Sequence, residues 1–112
     1  MPRVTSAQQL FDHLPEAFVP GEAQGVNAVI QFELTGAGGG DWHARIAAGQ
    51  VAVEPGRAAS PTVTLTAAAA DYLAIVNGDQ NALGAFMAGK IKIAGDVNLA
   101  LKLQQMFKAP SG

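Results

Sequence analysis

Apolar and polar residues follow two different periods along this chain, and the changes of period mark out its elements. After Ser6, which is suited to cap a helix, Leu10, Phe11, Leu14 and Phe18 recur at helical spacing. The pattern predicts a helix over 6–18, kinked or split in two by Pro15 and ended by Val19-Pro20-Gly21. From Val26 to Leu34 the period is two: Val26, Ala28, Ile30, Phe32 and Leu34 point one way, Asn27, Gln31 and Glu33 the other. That is a strand with one buried face. The run Gly36-Ala37-Gly38-Gly39-Gly40-Asp41 supplies residues able to take positive φ in a hairpin turn. Trp42, Ala44, Ile46 and Ala48 continue the inward face on a second strand, with His43 and Arg45 outward. Beyond Gly49, Val51 and Val53 alternate with polar residues on a third.

Downstream, Thr62–Thr66 reads as a fourth strand with Val63 and Leu65 inward. Thr66 is placed to cap a helix reaching Val76 and closed by Asn77-Gly78. Asp79 is placed to cap another helix, carrying Leu83, Phe86 and Met87 and stopping at Gly89. Lys90–Ile93 forms a fifth strand, and Gly95-Asp96 opens a final helix to about Phe107. Two helices separate strands four and five, which predicts a parallel pair joined by a right-handed crossover. One apolar face per strand predicts helices over one side of the sheet only. The expected class is α+β: a five-stranded, mostly antiparallel mixed sheet in a single domain over residues 1–112.

Composition narrows the chemistry. A chain of 112 residues has room for one core. The absence of cysteine excludes disulfides, thiol catalysis and cysteine-based metal sites. A net charge of −2 argues against nucleic acid as a partner. Of the apolar residues, 22 are alanine, so these lie on helix surfaces or leave the interior thinly filled, with room for a cavity. No apolar run approaches the ~20 residues of a membrane span. Acids and prolines break the N-terminal stretch as a secretory signal, and the final residues match no peroxisomal or lipidation signal. A soluble, cytoplasmic protein is expected.

Within the last helix, Leu99, Ala100, Leu103, Met106 and Phe107 fall in an arc of about 120°, which Val97 and Leu101 extend to about 220°. A helix lying on a sheet needs a stripe of a little over ~100°. The surplus calls for a second surface: a partner subunit, a membrane, a lipid-holding cavity, or another element of the fold. Residues 90–108 carry a net charge of +3 and residues 1–89 a net of −5. That asymmetry suits transient contact with an anionic membrane surface, or a solvated strand face. His13 and His43 stand on different elements without acids at ligand spacing, and no serine sits in a nucleophile elbow. The glycine run leads into a strand rather than a helix N-terminus, unlike a phosphate loop. No catalytic constellation, metal site or cofactor is therefore expected.

Several stretches, in order, resemble the sterol carrier protein type 2 family: Leu14-Pro15-Glu16-Ala17-Phe18, Gln31-Phe32-Glu33-Leu34-Thr35-Gly36, Trp42-His43-Ala44-Arg45-Ile46 with Gly49, and Pro61-Thr62-Val63-Thr64-Leu65-Thr66. The strongest is Gly89-Lys90-Ile91-Lys92-Ile93-Ala94-Gly95-Asp96, continued by Leu99-Ala100-Leu101-Lys102-Leu103-Gln104. The resemblance spans about residues 6–108 and is that of a stand-alone member of the kind expected in bacteria. It implies a sheet covered on one face and a hydrophobic tunnel closed by the C-terminal helix. Its expected ligand is a long-chain lipid: a fatty acid, acyl-CoA, phospholipid, isoprenoid or sterol. The expected lining is Phe32, Ile46, Phe86, Met87, Leu99, Leu103, Met106 and Phe107, with Gln104 as a polar contact carried over from the family. The alternative reading is an interaction or homodimerisation module, or an accessory protein presenting an isoprenoid quinone intermediate to biosynthetic partners.

Overall fold

Ser6 opens the first helix as its hydroxyl accepts a hydrogen bond from the Gln9 N–H at 3.1 Å, satisfying one of the free donors of the first turn. The computed structural model describes residues 4–107, apart from the side chains of Ala82, Gln104 and Gln105. Helix α1 spans Ala7–Ala17 and runs through Pro15 as one helix. Proline removes one N–H, and so close to the helix end this costs a single internal bond instead of dividing the element. A 3-10 turn, Pro20–Ala23, follows.

The strands are β1 (Ala28–Thr35), β2 (Gly40–Ala47), β3 (Gln50–Pro55), β4 (Val63–Ala68) and β5 (Ile91–Gly95). Helices α2 (Ala69–Val76) and α3 (Ala82–Met87) separate β4 from β5, and α4 (Val97–Met106) ends the described chain. The sheet order is β3-β2-β1-β4-β5. Its parallel pair is β1–β4, whereas β4–β5 is antiparallel, contrary to the expectation from the two intervening helices. The register explains the difference. Ala67 near the end of β4 pairs with Ile91 at the start of β5, so α2 and α3 bring the chain back to the edge it left. A parallel partner would need the connection to cross the full length of the sheet.

Three further expectations shift at element ends. Ala48 is exposed, with φ of 53°, and joins Gly49 in the two-residue β2–β3 hairpin turn. Both central positions of such a turn need positive φ to match the strand twist, so Ala48 leaves the strand despite its parity. Thr66 stays within β4 opposite Lys92, because β1 pairs with β4 as far as Ala68 and delays the helix to Ala69. Asn81, rather than Asp79, caps α3, accepting from the Gly84 N–H at 2.9 Å.

Register lines up the apolar face. Trp42, Phe32, Leu65 and Ile93 form one row across β2, β1, β4 and β5, and Val53, Ala44, Ile30 and Val63 form the next. The helices cover these rows. Phe11 of α1 stacks on Trp42 with ring centroids 4.6 Å apart and tilts against Phe32 at 5.1 Å. Both ends of the described chain are tied in: Asn77 exchanges two hydrogen bonds with the Val4 backbone, and the Val19 N–H donates to the Met106 carbonyl at 2.7 Å. Gly95 closes β5 with φ of 99°, so close beneath the Thr62 carbonyl that a Cβ would come within 2.5 Å of its oxygen. No side chain fits there without shifting backbone.

The other sheet face hides one polar residue. Gln31, read from parity as solvent-facing, is 2% exposed. The chain leaves β3 at Pro55 and must pass behind β2 and β1 to enter β4 beside β1. Gln31 holds this passage: Nε2 donates to the carbonyls of Trp42 at 3.0 Å and Gly56 at 3.3 Å, and Oε1 accepts from the Ala58 N–H at 2.7 Å. Gln31→Ala takes the partner from the Ala58 N–H and cuts the links to the Trp42 and Gly56 carbonyls, and should destabilise the fold by about 1–3 kcal/mol. Chemical denaturation checks this; an unchanged midpoint would show that the crossover holds without the clamp.

Candidate functional site

The short helices do not fill the space above the apolar rows. Two cavities lie there, of about 480 and 280 Å³. The larger is within the usual range for small-molecule sites, roughly 300–1,000 Å³. It is walled by Leu10, Phe11 and Leu14 of α1, Phe32 of β1, Tyr72, Ile75 and Val76 of α2, and Leu103 and Phe107. Gly78, Gln80 and Asn81 also border it; Gly78 and Asn81 are exposed and mark its mouth. The smaller cavity lies over β4 and β5, between Leu65, Ile91 and Ile93 below and Leu83, Phe86, Ala100 and Leu101 at the sides. Tyr72, Ile75 and Leu103 wall both, so three side chains divide one hollow into two.

Of the residues singled out from the sequence, Phe32 and Phe107 wall the larger cavity, Phe86 the smaller, and Leu103 both. Ile46, Leu99 and Met106 are buried in the packed core and reach neither. Met87 is 78% exposed and lines neither cavity. Ala85 is the residue α3 buries, and two positions on, at about 200°, a side chain points away from the core. The Gln104 side chain lies outside the described residues. Sequence reasoning passed over α2, although Tyr72, Ile75 and Val76 repeat at i, i+3, i+4 on one helix face. That spacing was a legible signal, masked by the neighbouring alanines.

The surplus apolar sector of α4 is divided. Leu99, Leu103 and Met106 face inward, while Val97 and Leu101 are 42% and 51% exposed. Among the described residues no lysine or arginine lines either cavity, and Lys108 lies outside the described residues. Lys92 alternates with Ile91 and Ile93, whose side chains face the helices, so it lies on the opposite side of β5. Lys90 reaches Gln80 Oε1 at 3.5 Å, and Gln80 Nε2 donates to Asp71 at 3.3 Å, a polar chain beside the larger mouth.

His13 pairs with Glu16 on the outside of α1, and His43 contacts the Gly56 carbonyl. Among the described residues, no group of three or more His, Cys, Asp or Glu could hold a metal ion, and no helix is long and apolar enough to cross a membrane. The titratable group at the hollow itself is the Tyr72 phenol, whose pKa burial raises above its ordinary value. The folded chain thus holds this proton more tightly than the unfolded chain. The resulting stability is fully present below the unfolded pKa of about 10 and is lost as pH climbs beyond it. In an ultraviolet titration, phenolate absorbance should therefore appear only together with alkaline unfolding. An ordinary titration near 10 in folded protein would contradict the burial.

The comparisons with known proteins agree with this geometry. Residues 7–108 match the model of the SCP-2 sterol transfer family. Human sterol carrier protein 2 is 32% identical over 88 residues, which are 76% of this chain but 16% of the human protein, so the chain spans about a sixth of that relative's length. The structure of palmitated SCP2L2 from Aedes aegypti superimposes with a TM-score of 0.74 at 27% identity, covering 96% of this chain and 99% of that one. A sec-alkylsulfatase from Pseudomonas sp. shares the fold, with a TM-score of 0.83 at 17% identity over 99% of this chain and 18% of its own. The chain belongs to the SCP-2 sterol transfer family.

Proposed function

We propose that this chain is a non-catalytic carrier that shelters the alkyl tail of a lipid in the divided hollow beneath α2, α3 and α4. The observation that carries the reading is the shared wall: rotation of Tyr72, Ile75 and Leu103 would join two apolar cavities into one elongated space. The similarity to palmitated SCP2L2 supports a single-chain lipid such as a fatty acid. Burying a sixteen-carbon tail stabilises it by about 12 kcal/mol over water, before binding costs. A bilayer offers the same environment, so transfer between membrane and hollow is close to neutral and the carrier can both load and unload. The open side of the smaller cavity, bordered by Leu83, Phe86 and Leu101, suits transient contact with a membrane surface.

A second reading rests on the outward Val97 and Leu101 of α4: the fold serves as a dimerisation or presentation module, holding an isoprenoid intermediate for a partner enzyme. Light scattering separates the two. If Val97→Asp, which lies outside both cavity walls, converts a dimer to a monomer and leaves lipid uptake intact, the module reading holds.

The carrier reading is tested at the shared wall. Leu103→Trp and the milder Ile75→Phe each add bulk where the cavities meet, and should weaken binding of a fluorescent fatty acid by about 10-fold or more. Thermal melts confirm that the variants fold. Organic extraction of the purified wild-type protein should also yield lipid. Protein that is repeatedly recovered empty and ignores the fluorescent fatty acid would end this reading.

A further inference from the structure

Tyr72 is the one tyrosine of the chain and stands where the two cavities meet. Its ring is fixed by an edge-on contact with Phe32, centroids 5.8 Å apart at 63°. Its neighbours in the shared wall, Ile75 and Leu103, are hydrocarbon. A tyrosine hydroxyl within a protein almost always finds a hydrogen-bond partner. This one has none among the described residues, although every sealed side-chain nitrogen and oxygen among them is satisfied. The Tyr72 oxygen is thus not sealed by protein, and its side chain walls both cavities.

The other polar residues at the larger cavity are already engaged. Gln80 uses its oxygen for Lys90 and its amide for Asp71. Asn81 is exposed, and its Oδ1 accepts from the Gly84 N–H in capping α3. Tyr72 is left as the interior group with an uncommitted donor. A phenol with an ordinary pKa of about 10 is already protonated at neutral pH, and burial moves the value further up, so the group is present as O–H whenever a ligand enters.

Building on the carrier reading, we infer that the Tyr72 hydroxyl donates a hydrogen bond to an acceptor oxygen of the bound lipid, so that the hollow selects oxygen-bearing chains over bare hydrocarbon. An ester, a carboxyl group or a keto group supplies that acceptor. A plain alkyl chain leaves the hydroxyl unpaired in a space from which it also displaces water, and this loss sets the discrimination.

The experiment measures displacement of a fluorescent fatty acid by methyl palmitate, palmitic acid and 1-hexadecene, from wild-type protein and from Tyr72→Phe. The variant keeps the ring and its contact with Phe32. Its preference for methyl palmitate over 1-hexadecene should fall by about 3- to 10-fold, the range of one net hydrogen bond. A fall in the ester and acid arms together identifies a carbonyl acceptor in general; a fall confined to palmitic acid identifies the carboxyl group. Equal ratios in wild type and variant overturn the assignment while leaving the carrier reading standing. Wild-type protein that takes up none of the probes defeats both.

A second readout uses wild-type protein alone. Because Tyr72 is the single tyrosine, the Raman doublet of its ring mode reports one hydroxyl. Loading with methyl palmitate should change its intensity ratio toward that of a hydrogen-bond donor, and an unaltered ratio overturns the inference.

Discussion

A broad sheet face of large side chains lies beneath helices that are too short and too fine-grained to close over it. The row Trp42, Phe32, Leu65 and Ile93 crosses four strands, a width of about 15 Å at the usual strand spacing. Above it, α2 has eight residues and α3 six, about 12 and 9 Å of helix. The residues these two bury most deeply are alanines, Ala69 and Ala85. Native interiors pack as densely as organic crystals, and alanine beneath a short helix cannot reach that density over such a span. The aromatic cluster of Phe11, Trp42 and Phe32 fills part of the space under α1, and the deficit collects as the divided hollow between α1, α2 and α4 and beside α3.

The hollow keeps its shape because its frame is fastened elsewhere. Gln31 locks the crossover on the remote face, so the sheet order that places β1 beside β4 does not depend on whatever fills the cavity. Thr62 joins β1, β4 and the start of α4: it exchanges backbone and side-chain hydrogen bonds with Val29, and its carbonyl accepts from the Asp96 N–H. The far end of α4 is fixed by Val19 on Met106 and by the Phe18–Phe107 ring contact at 5.5 Å. Between these two anchorages, Leu103 of α4 stands in the wall that the two cavities share.

The same construction accounts for the apolar surplus of α4. A helix that both covers a sheet and borders a cavity needs more than a narrow stripe, and Ala100 and Leu101 occupy the part that faces the smaller cavity. Only Tyr72 among the three shared-wall residues brings a polar atom, so any chemical selectivity exerted there falls on that hydroxyl.

Much of the architecture was legible from period and punctuation. Ser6 and Asp96 as caps, the parity of β1 to β5 and the thin, alanine-rich interior follow from local stereochemistry and composition, which act over a few residues. Phe32, Phe86, Leu103 and Phe107 could be named as cavity walls because they combine large apolar side chains with the correct face. Burial parity could not separate them from Ile46, Leu99 and Met106, which share that face but meet solid packing. Nor could it expose the role of Gln31, whose partners lie 11 to 27 residues away. The pairing of β1 with β4, the engagement of Gln31 and the meeting of Tyr72, Ile75 and Leu103 were decided by tertiary structure alone. A local pattern states which face of an element is apolar; what lies across from that face, side chain or empty space, depends on contacts between segments distant in the chain.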